Sequence, residues 1–290
     1  MKQIVVISGK GGTGKTSIVS ALAGLGPEKV LADCDVDAAD LHLILHPSVV
    51  EAEPFFSGNT PNLDTDKCTG CMQCMDACKF NAIKFNGETC SVLKEQCEGC
   101  AACAFVCPED AITMKPRNCG TEYISNTRYG TMVHAALGIG EENSGKLVTS
   151  VRQKAKQQAE EQGLGFVLVD GSPGVGCPVI ASLTDTDMAL LVAEPTVSAV
   201  HDLKRVYELT QHFKVSAALV INKCGLNDSL EKELRGFCEM NAIPVVGSLP
   251  YTNTFTQAQI AGQTICEFDP DGLGAKMNKM WDSISSILEM

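Results

Sequence analysis

The octapeptide Gly9-Lys10-Gly11-Gly12-Thr13-Gly14-Lys15-Thr16 restricts this chain's fold more than any other stretch. It satisfies Gly-x-x-x-x-Gly-Lys-[Ser/Thr] and lies between an apolar run expected to be a strand, residues 3–7, and a segment expected to be a helix, from about 15 to 25. In that context the glycines let backbone N–H groups converge on phosphate oxygens. Lys15 is placed to reach the β- and γ-phosphates and the Thr16 hydroxyl to sit on Mg²⁺, while the helix N-terminus adds partial positive charge. A tight glycine turn without a ligand would need neither Lys15 nor Thr16. The predicted phosphate site is Gly11, Gly12, Thr13, Gly14, Lys15, Thr16 and Ser17, with ATP and Mg²⁺ as ligands.

The flanking pattern fixes the predicted fold class. A second strand, residues 29–32, runs into the acidic stretch Asp33-Cys34-Asp35-Val36-Asp37. Short apolar runs at 166–169 (ending in Asp170), 188–193, 217–221 and 245–248 alternate with helical patterns at 146–162, 199–212 and 229–241. Strands alternating with helices imply a parallel sheet covered on both faces, an α/β fold.

Between about 63 and 116 that rhythm breaks. CTGCMQCMDACKFNAIKF, beginning at Cys68, matches CEGCAACAFVCPEDAITM, beginning at Cys97, an internal repeat at an offset of 29 residues. A tandem repeat this short reads as a small domain inserted into a larger one, here residues 61–116, leaving 1–60 and 117–290 as a discontinuous host. Each half carries C-x2-C-x2-C-x3-C, the bacterial ferredoxin run, in which the fourth cysteine ligates the other cluster. Cys68, Cys71, Cys74 and Cys107 are therefore expected to hold one [4Fe–4S] cluster, and Cys97, Cys100, Cys103 and Cys78 a second. Soft, anionic thiolates suit iron and sulfide. Zinc would leave the third cysteine of each triplet unexplained, and a disulfide-rich loop does not suit a reducing compartment. Cys107 is followed by Pro108 but Cys78 by Lys79, a difference that bears on solvation near one cluster.

With its early Lys10, GKGGTGKT resembles the deviant Walker A motif of the MinD/ParA/Mrp/nitrogenase-iron-protein class of P-loop ATPases, a SIMIBI-type fold. With the cysteine segment added, the chain resembles members of that superfamily that contain an inserted ferredoxin-like α+β domain. The resemblance implies that Lys10 crosses a dimer interface to the partner's nucleotide, although a loop lysine can also be merely solvated. It implies that Asp35 orients or deprotonates the attacking water, with Asp33 or Asp37 near the magnesium shell, and that Asp170-Gly171-Ser172-Pro173-Gly174 is switch II, with Asp170 serving the metal. Asp37 and Asp40 read equally well as helix caps. Asn222 matches the family's adenine-contacting asparagine, and Pro250 and Tyr251 would line the base pocket, although turn chemistry accounts for all three. Cys177 stands seven residues after Asp170, the offset of a cluster ligand in the nitrogenase iron protein; packing is the alternative.

A net charge of -12 argues against a nucleic-acid backbone as partner. The first apolar run is too short for a signal-peptide core and no stretch approaches a membrane span, so a cytoplasmic location is expected. Residues 273–288 place Met277, Trp281, Ile284 and Leu288 at helical spacing with few basic residues, which favours packing over membrane binding. Cys34, Cys90, Cys119, Cys224, Cys238 and Cys266 read as small core residues. The expected activity is ATP hydrolysis by a homodimer, or a heterodimer with a related ATPase. Its expected output is electron transfer through the clusters to a redox partner, because eight ligands hold two clusters tightly. The alternatives are metallocluster assembly for a client, and a positioning or partitioning ATPase using clusters as sensor or staple.

Overall fold

The computed structural model describes residues 1–138, 140–141 and 145–289. Its strands are β1 (Lys2–Ser8), β2 (Val30–Asp33), β3 (Ser48–Leu63), β4 (Ile83–Phe85), β5 (Cys90–Val92), β6 (Ile112–Thr127), β7 (Gly130–Leu137), β8 (Phe166–Pro173), β9 (Met188–Ala193), β10 (Ser216–Cys224) and β11 (Val245–Pro250). Nine form one sheet in the order β11-β10-β9-β1-β8-β2-β7-β6-β3, and β4 pairs with β5 separately. The chain divides into two compact units. One comprises Met1–Glu53, Glu122–Ala136 and Asn143–Met290; the other comprises Pro54–Thr121 and Leu137–Glu142.

In the first unit, β1 pairs in parallel with β8 on one side, Ile4 opposite Leu168, and with β9 on the other, Ile4 opposite Met188. Successive strand residues point to opposite faces, yet Ile4, Val5, Val6 and Ile7 are all fully buried, so both faces are covered. The helix Lys15–Ala23 packs on β1 and β8, Lys146–Glu161 on β2 and β8, Val197–His212 on β9 and β10, and Ala275–Leu288 on β11. The last buries Met277, Met280, Trp281, Ile284 and Leu288 in the core, so packing accounts for its apolar stripe. Trp281 meets Phe166 edge-on, ring centroids 5.7 Å apart. Helix starts follow local chemistry: the side chain of Thr196 accepts from the Ala199 N–H, and that of Asn227 from the Leu230 N–H.

Two segments depart from expectation. The run expected to stop before Asp170 continues as β8 to Pro173, because Gly171 lets the strand lie flush on β1; a Cβ there would stand 2.6 Å from Ile7 Cγ2. The chain on either side of the cysteine repeat, for which the sequence pattern names no strand, forms the sixteen-residue strands β3 and β6.

The second unit extends beyond residues 61 and 116, and its repeat is structural as well as sequential. Met72 and Ala101, related by the 29-residue offset, both adopt left-handed backbone at φ 62 and 64, and so do Asn81 and Asp110 at φ 53 and 46. The halves interleave. The Asp64 N–H donates to the Ala111 carbonyl at 2.8 Å, and the Leu93 N–H, one offset on from Asp64, donates to the Ala82 carbonyl at 2.7 Å. Each half's first strand thus pairs with a second strand on a pseudo-two-fold plan. A small core of Cys74, Ile83, Cys90, Cys103 and Ile112 lies between.

Phe166 is among the largest fully buried side chains of the first unit. Phe166→Ala is expected to cost about 3–5 kcal/mol, read from urea unfolding followed at Trp281, the chain's one tryptophan. A loss below about 1 kcal/mol, the range of deleting a single buried methyl group, would contradict this packing.

Candidate functional site

The phosphate loop leaves β1 and enters the helix Lys15–Ala23 through Gly14 at φ 88, a backbone state that favours glycine. A Cβ at Gly14 would also collide with the Asn222 amide. Asn222 is buried at the end of β10, where its Nδ2 donates to the Thr13 carbonyl at 2.8 Å and its Oδ1 accepts from the Lys223 N–H at 2.9 Å. The residue expected to contact adenine therefore braces the loop. Gly11 to Ser17, Asp35, Asn222, Pro250 and Tyr251 line one cleft of about 400 Å³, within the range of small-ligand sites.

Lys15 is buried at the cleft floor and pairs with Asp170 and, at 3.1 Å, with Asp35. Burial alone would lower its pKa, but Asp170, Asp35 and Asp33 outweigh burial and hold it above the ordinary lysine value. The carboxylates meet because β2 and β8 are parallel and in register, setting Asp33, the last residue of β2, beside Asp170. Burial and then the Asp170 charge push the Asp33 carboxyl up, and burial likewise raises Asp35. Three acids around one lysine leave negative charge uncompensated. Asp33 Oδ2 and Asp170 Oδ2 are buried without a hydrogen-bond partner among the described residues, as is Thr13 Oγ1. Two orphaned carboxylate oxygens beside a hydroxyl-bearing phosphate loop fit a hard divalent cation such as Mg²⁺.

Lys10 points away from this floor. Its ammonium pairs with Glu194 at 2.7 Å and donates to Thr196 Oγ1 at 3.2 Å and Ser198 Oγ at 3.1 Å. Glu194 also pairs with Lys223 at 2.7 Å, and Lys223 donates to the Gly12 carbonyl at 2.8 Å. Burial opposes the charged form of Glu194, but the two lysines prevail and hold its pKa below the ordinary value. Sequence reasoning missed Glu194. Its signal was position, directly after the β9 strand end on the edge where Asp33 and Asp170 also lie. Gln259, also missed, donates to Ser17 Oγ at 3.0 Å. Asp40 stands at the start of the helix Leu41–Leu45 without a side-chain cap bond and lines the cleft instead, and Asp37 is exposed.

The eight repeat cysteines gather in two cavities of the second unit. Cys68, Cys71, Cys74 and Cys107 line one, and Cys97, Cys100, Cys103 and Cys78 the other. Cys97 Sγ accepts from the Gly99 N–H at 3.4 Å, and Cys107 Sγ from the Ala111 N–H at 3.3 Å. All fifteen cysteines are free thiols. Among the described residues, no three or more His, Cys, Asp or Glu side chains are grouped as a single metal ion requires. Cys34, Cys119 and Cys238 are buried as expected, and Cys224 and Cys266 are partly buried. Cys90 is buried in the small core of the second unit as expected, and it also lines the first cavity. Cys177 is exposed at the start of the helix Cys177–Leu183, so the packing alternative does not describe it. Among the described residues, no helix is long and apolar enough to cross a membrane.

Residues 4–265 match the family described as the CobQ/CobB/MinD/ParA nucleotide binding domain. Two proteins of Methanocaldococcus jannaschii are similar in sequence. MJ0578 is 38% identical over 233 residues, 78% of this chain and 79% of its own length; MJ0579 is 27% identical over 236 residues, 79% and 82% respectively. Among solved structures, the cell division ATPase MinD of Pyrococcus furiosus shares 18% identity at a TM-score of 0.57, covering 99% of each chain. The septum site-determining protein MinD of Pyrococcus horikoshii, complexed with Mg-ADP, shares 16% identity at 0.59, covering 99% of this chain and 97% of its own. A ParA family ATPase of Chlorobium tepidum shares 14% identity at 0.53, covering 98% of each. The α/β P-loop fold with a mostly parallel sheet is common to all three.

Removing the buried cation should be costly. Lys15→Met is expected to destabilise the first unit by about 3–5 kcal/mol, because it strands buried carboxylates. Adding Asp170→Asn should restore part of that loss, since the two side chains are coupled. Additive losses in urea unfolding of the double variant would show that the ion pair does not carry this energy.

Proposed function

The chain belongs to the CobQ/CobB/MinD/ParA nucleotide-binding family, and we propose that within it the chain is a Mg²⁺-dependent ATP hydrolase working as a dimeric, nucleotide-controlled switch. The observation that carries this is the buried Lys15 between Asp35 and Asp170, with unpartnered oxygens on Asp33 and Asp170, at the floor of a phosphate-loop cleft. Phosphoryl transfer needs positioning and charge neutralisation more than covalent chemistry. Backbone N–H groups of Gly11 to Thr16 cradle the phosphates. Lys15 shifts its ammonium from the carboxylates to the β- and γ-phosphate oxygens, which frees Asp35 to orient the attacking water. Thr16, Asp33, Asp35 and Asp170 are the residues available to hold Mg²⁺, which when bound offsets charge on the phosphates. Pro250 and Tyr251 border the end of the cleft where the base would lie, and Asn222 keeps the loop in place beneath it.

Lys10 would leave Glu194 to reach the phosphates of a partner's ATP. The partner is a second copy or a related chain; the presence of two relatives in one organism keeps the heterodimer in view. For the output of the switch, positioning or partitioning agrees better with the structural neighbours than electron transfer does. Those neighbours are named as a cell division ATPase, a septum site-determining protein and a ParA family ATPase, at 18% identity or less, a likeness of fold.

One observation favours a second reading of the output. The two cavities each collect one complete tetrad of the double cysteine run, and both triplets have a left-handed residue between their second and third cysteines, Met72 in one and Ala101 in the other. We infer that this unit holds two [4Fe–4S] clusters, Cys68, Cys71, Cys74 and Cys107 on one and Cys97, Cys100, Cys103 and Cys78 on the other. A cube spreads its thiolates over four corners, so its ligands need not crowd as they would around a single ion. The clusters, when bound, supply one-electron redox chemistry. They would make the chain an electron carrier for a redox partner, an assembly protein for a client, or a cluster-sensing positioning ATPase.

Lys15→Ala should abolish ATP turnover, and Lys10→Ala should lower turnover and ATP-dependent dimerisation together. Mixing the two variants should restore part of the activity if Lys10 acts in trans; a mixture as inactive as its components would remove that role. Anaerobic reconstitution should yield about eight irons per chain, and zinc without iron would remove the cluster reading. A cluster potential that shifts on nucleotide binding would favour electron transfer, and an unshifted one the sensing or structural roles.

A further inference from the structure

The two cysteine cavities are copies of one another under the 29-residue offset, so the positions at which they differ stand out. Leu63 and Val92 correspond, as do Ala111 and Ala82, and Ile112 and Ile83, one of each pair in each cavity. One difference adds a soft donor. Where the second cavity has Pro61, the first has Cys90. The first cavity therefore contains five thiols and the second four.

Cys90 lies on β5, opposite Phe85 of β4, and is 3% exposed. It shares the small buried core and the cavity wall with Cys74, itself 7% exposed. Pro61 at the equivalent position shows that this strand site does not need a thiol for packing. A buried thiol beside a ligand thiol, in a cavity already lined by four soft donors, is chemically equivalent to those donors.

We propose that Cys90 is a reserve iron ligand of the first cavity, able to replace Cys74 on the cluster held with Cys68, Cys71 and Cys107. The inference rests on the two-cluster reading above. The exchange balances without an oxidant or reductant. The iron–sulfur bond to Cys74 breaks, the bond to Cys90 forms, and the Cys90 thiol proton passes to the Cys74 sulfur. The second cavity has no such exchange, because Pro61 offers no donor. The first cluster is thus able to survive loss of one ligand that the second cluster is not.

The test is iron and acid-labile sulfide content of the full chain after anaerobic reconstitution with ferrous iron and sulfide, with electron paramagnetic resonance of the dithionite-reduced protein. Wild type and Cys74→Ala should both hold about eight irons, whereas Cys103→Ala, the equivalent loss in the second cavity, should hold about four. Cys74→Ala/Cys90→Ala should also fall to about four. If wild type holds about eight and Cys74→Ala loses as much as Cys103→Ala, the reserve-ligand inference fails alone; an iron-free wild type overturns it together with the two-cluster reading. Because Cys74→Ala alters a small core, Cys90→Ala gives a second measure with all eight assigned ligands intact. It should surrender half its iron to a chelator several-fold faster than wild type, and equal release rates would overturn the proposal.

Discussion

The buried ion group of Lys15 with Asp35 and Asp170 is the interaction on which the nucleotide unit depends. Isolated, any one of these charges would be expensive at the bottom of a protein interior. Together they are tolerable because three parallel strands deliver them to one point. β1 leads into the loop that carries Lys15, β2 ends at Asp33 two residues before Asp35, and β8 carries Asp170 beside both. The register of Asp33 with Asp170, and of Val6 with Asp170, makes sheet pairing and charge placement a single constraint. A slip of β8 by one residue would turn Asp170 to the other face of the sheet. Gly171 permits the close β1–β8 contact that fixes this register.

A second ion group sits on the other side of the loop. Glu194 accepts both Lys10 and Lys223, and Lys223 in turn holds the Gly12 carbonyl. The loop is thus held by polar contacts on two sides while its N–H groups stay free to bind anions. Phosphates entering the cleft compete with carboxylates for Lys15, so part of their binding energy goes into replacing an existing ion pair. A site arranged this way responds strongly to the number of phosphate charges, because only a highly charged ligand outweighs the carboxylates it displaces. The separate Glu194 contact leaves Lys10 without a role on its own chain's cleft floor.

Much of the nucleotide unit was legible because its signals are local. Ile4 to Ile7 and Met188 to Ala193 are continuous apolar runs, as buried parallel strands require, and GKGGTGKT fixes the turn between strand and helix. β3 and β6 were not legible, since β3 is largely exposed, β6 is mostly buried or half-buried without a clean alternation, and they include Pro54 and Pro61 in one and Pro116 in the other. Nothing apolar alternates strongly enough to mark a strand whose pairing supplies most of its stability. Glu194 was missed because a single carboxylate carries no motif; only the parallel sheet, by aligning strand ends, makes its position informative. Asn222 was assigned by resemblance to the base, whereas its amide is engaged with the Thr13 carbonyl and the Lys223 N–H.

Cys90 failed to register for a different reason. Spacing rules read cysteines along the chain, and Cys90 belongs to neither run. It joins the first tetrad only because the halves interleave, with Asp64 bonded to Ala111 and Leu93 to Ala82, so that a strand of the second half borders the first half's thiols. The same interleaving explains why the left-handed residues occur in pairs. Met72 and Ala101 lack the freedom of glycine, and such backbone is retained where the surroundings over-determine it. In both halves what they share is a cysteine on either side, Cys71 and Cys74 in one and Cys100 and Cys103 in the other. The left-handed turn between those cysteines lets sulfurs three residues apart face a common centre instead of following an extended chain. Two equivalent backbones then impose the same cavity twice, and side chains that differ, among them Cys90 against Pro61, Glu109 against Phe80 and Thr69 against Glu98, distinguish them. Each cavity has one carboxylate in its wall, Glu109 in the first and Glu98 in the second, so the fifth thiol is what gives the first cavity more soft donor capacity. Duplication supplied a common scaffold, and the chemistry of each cavity is set by the few positions that diverged.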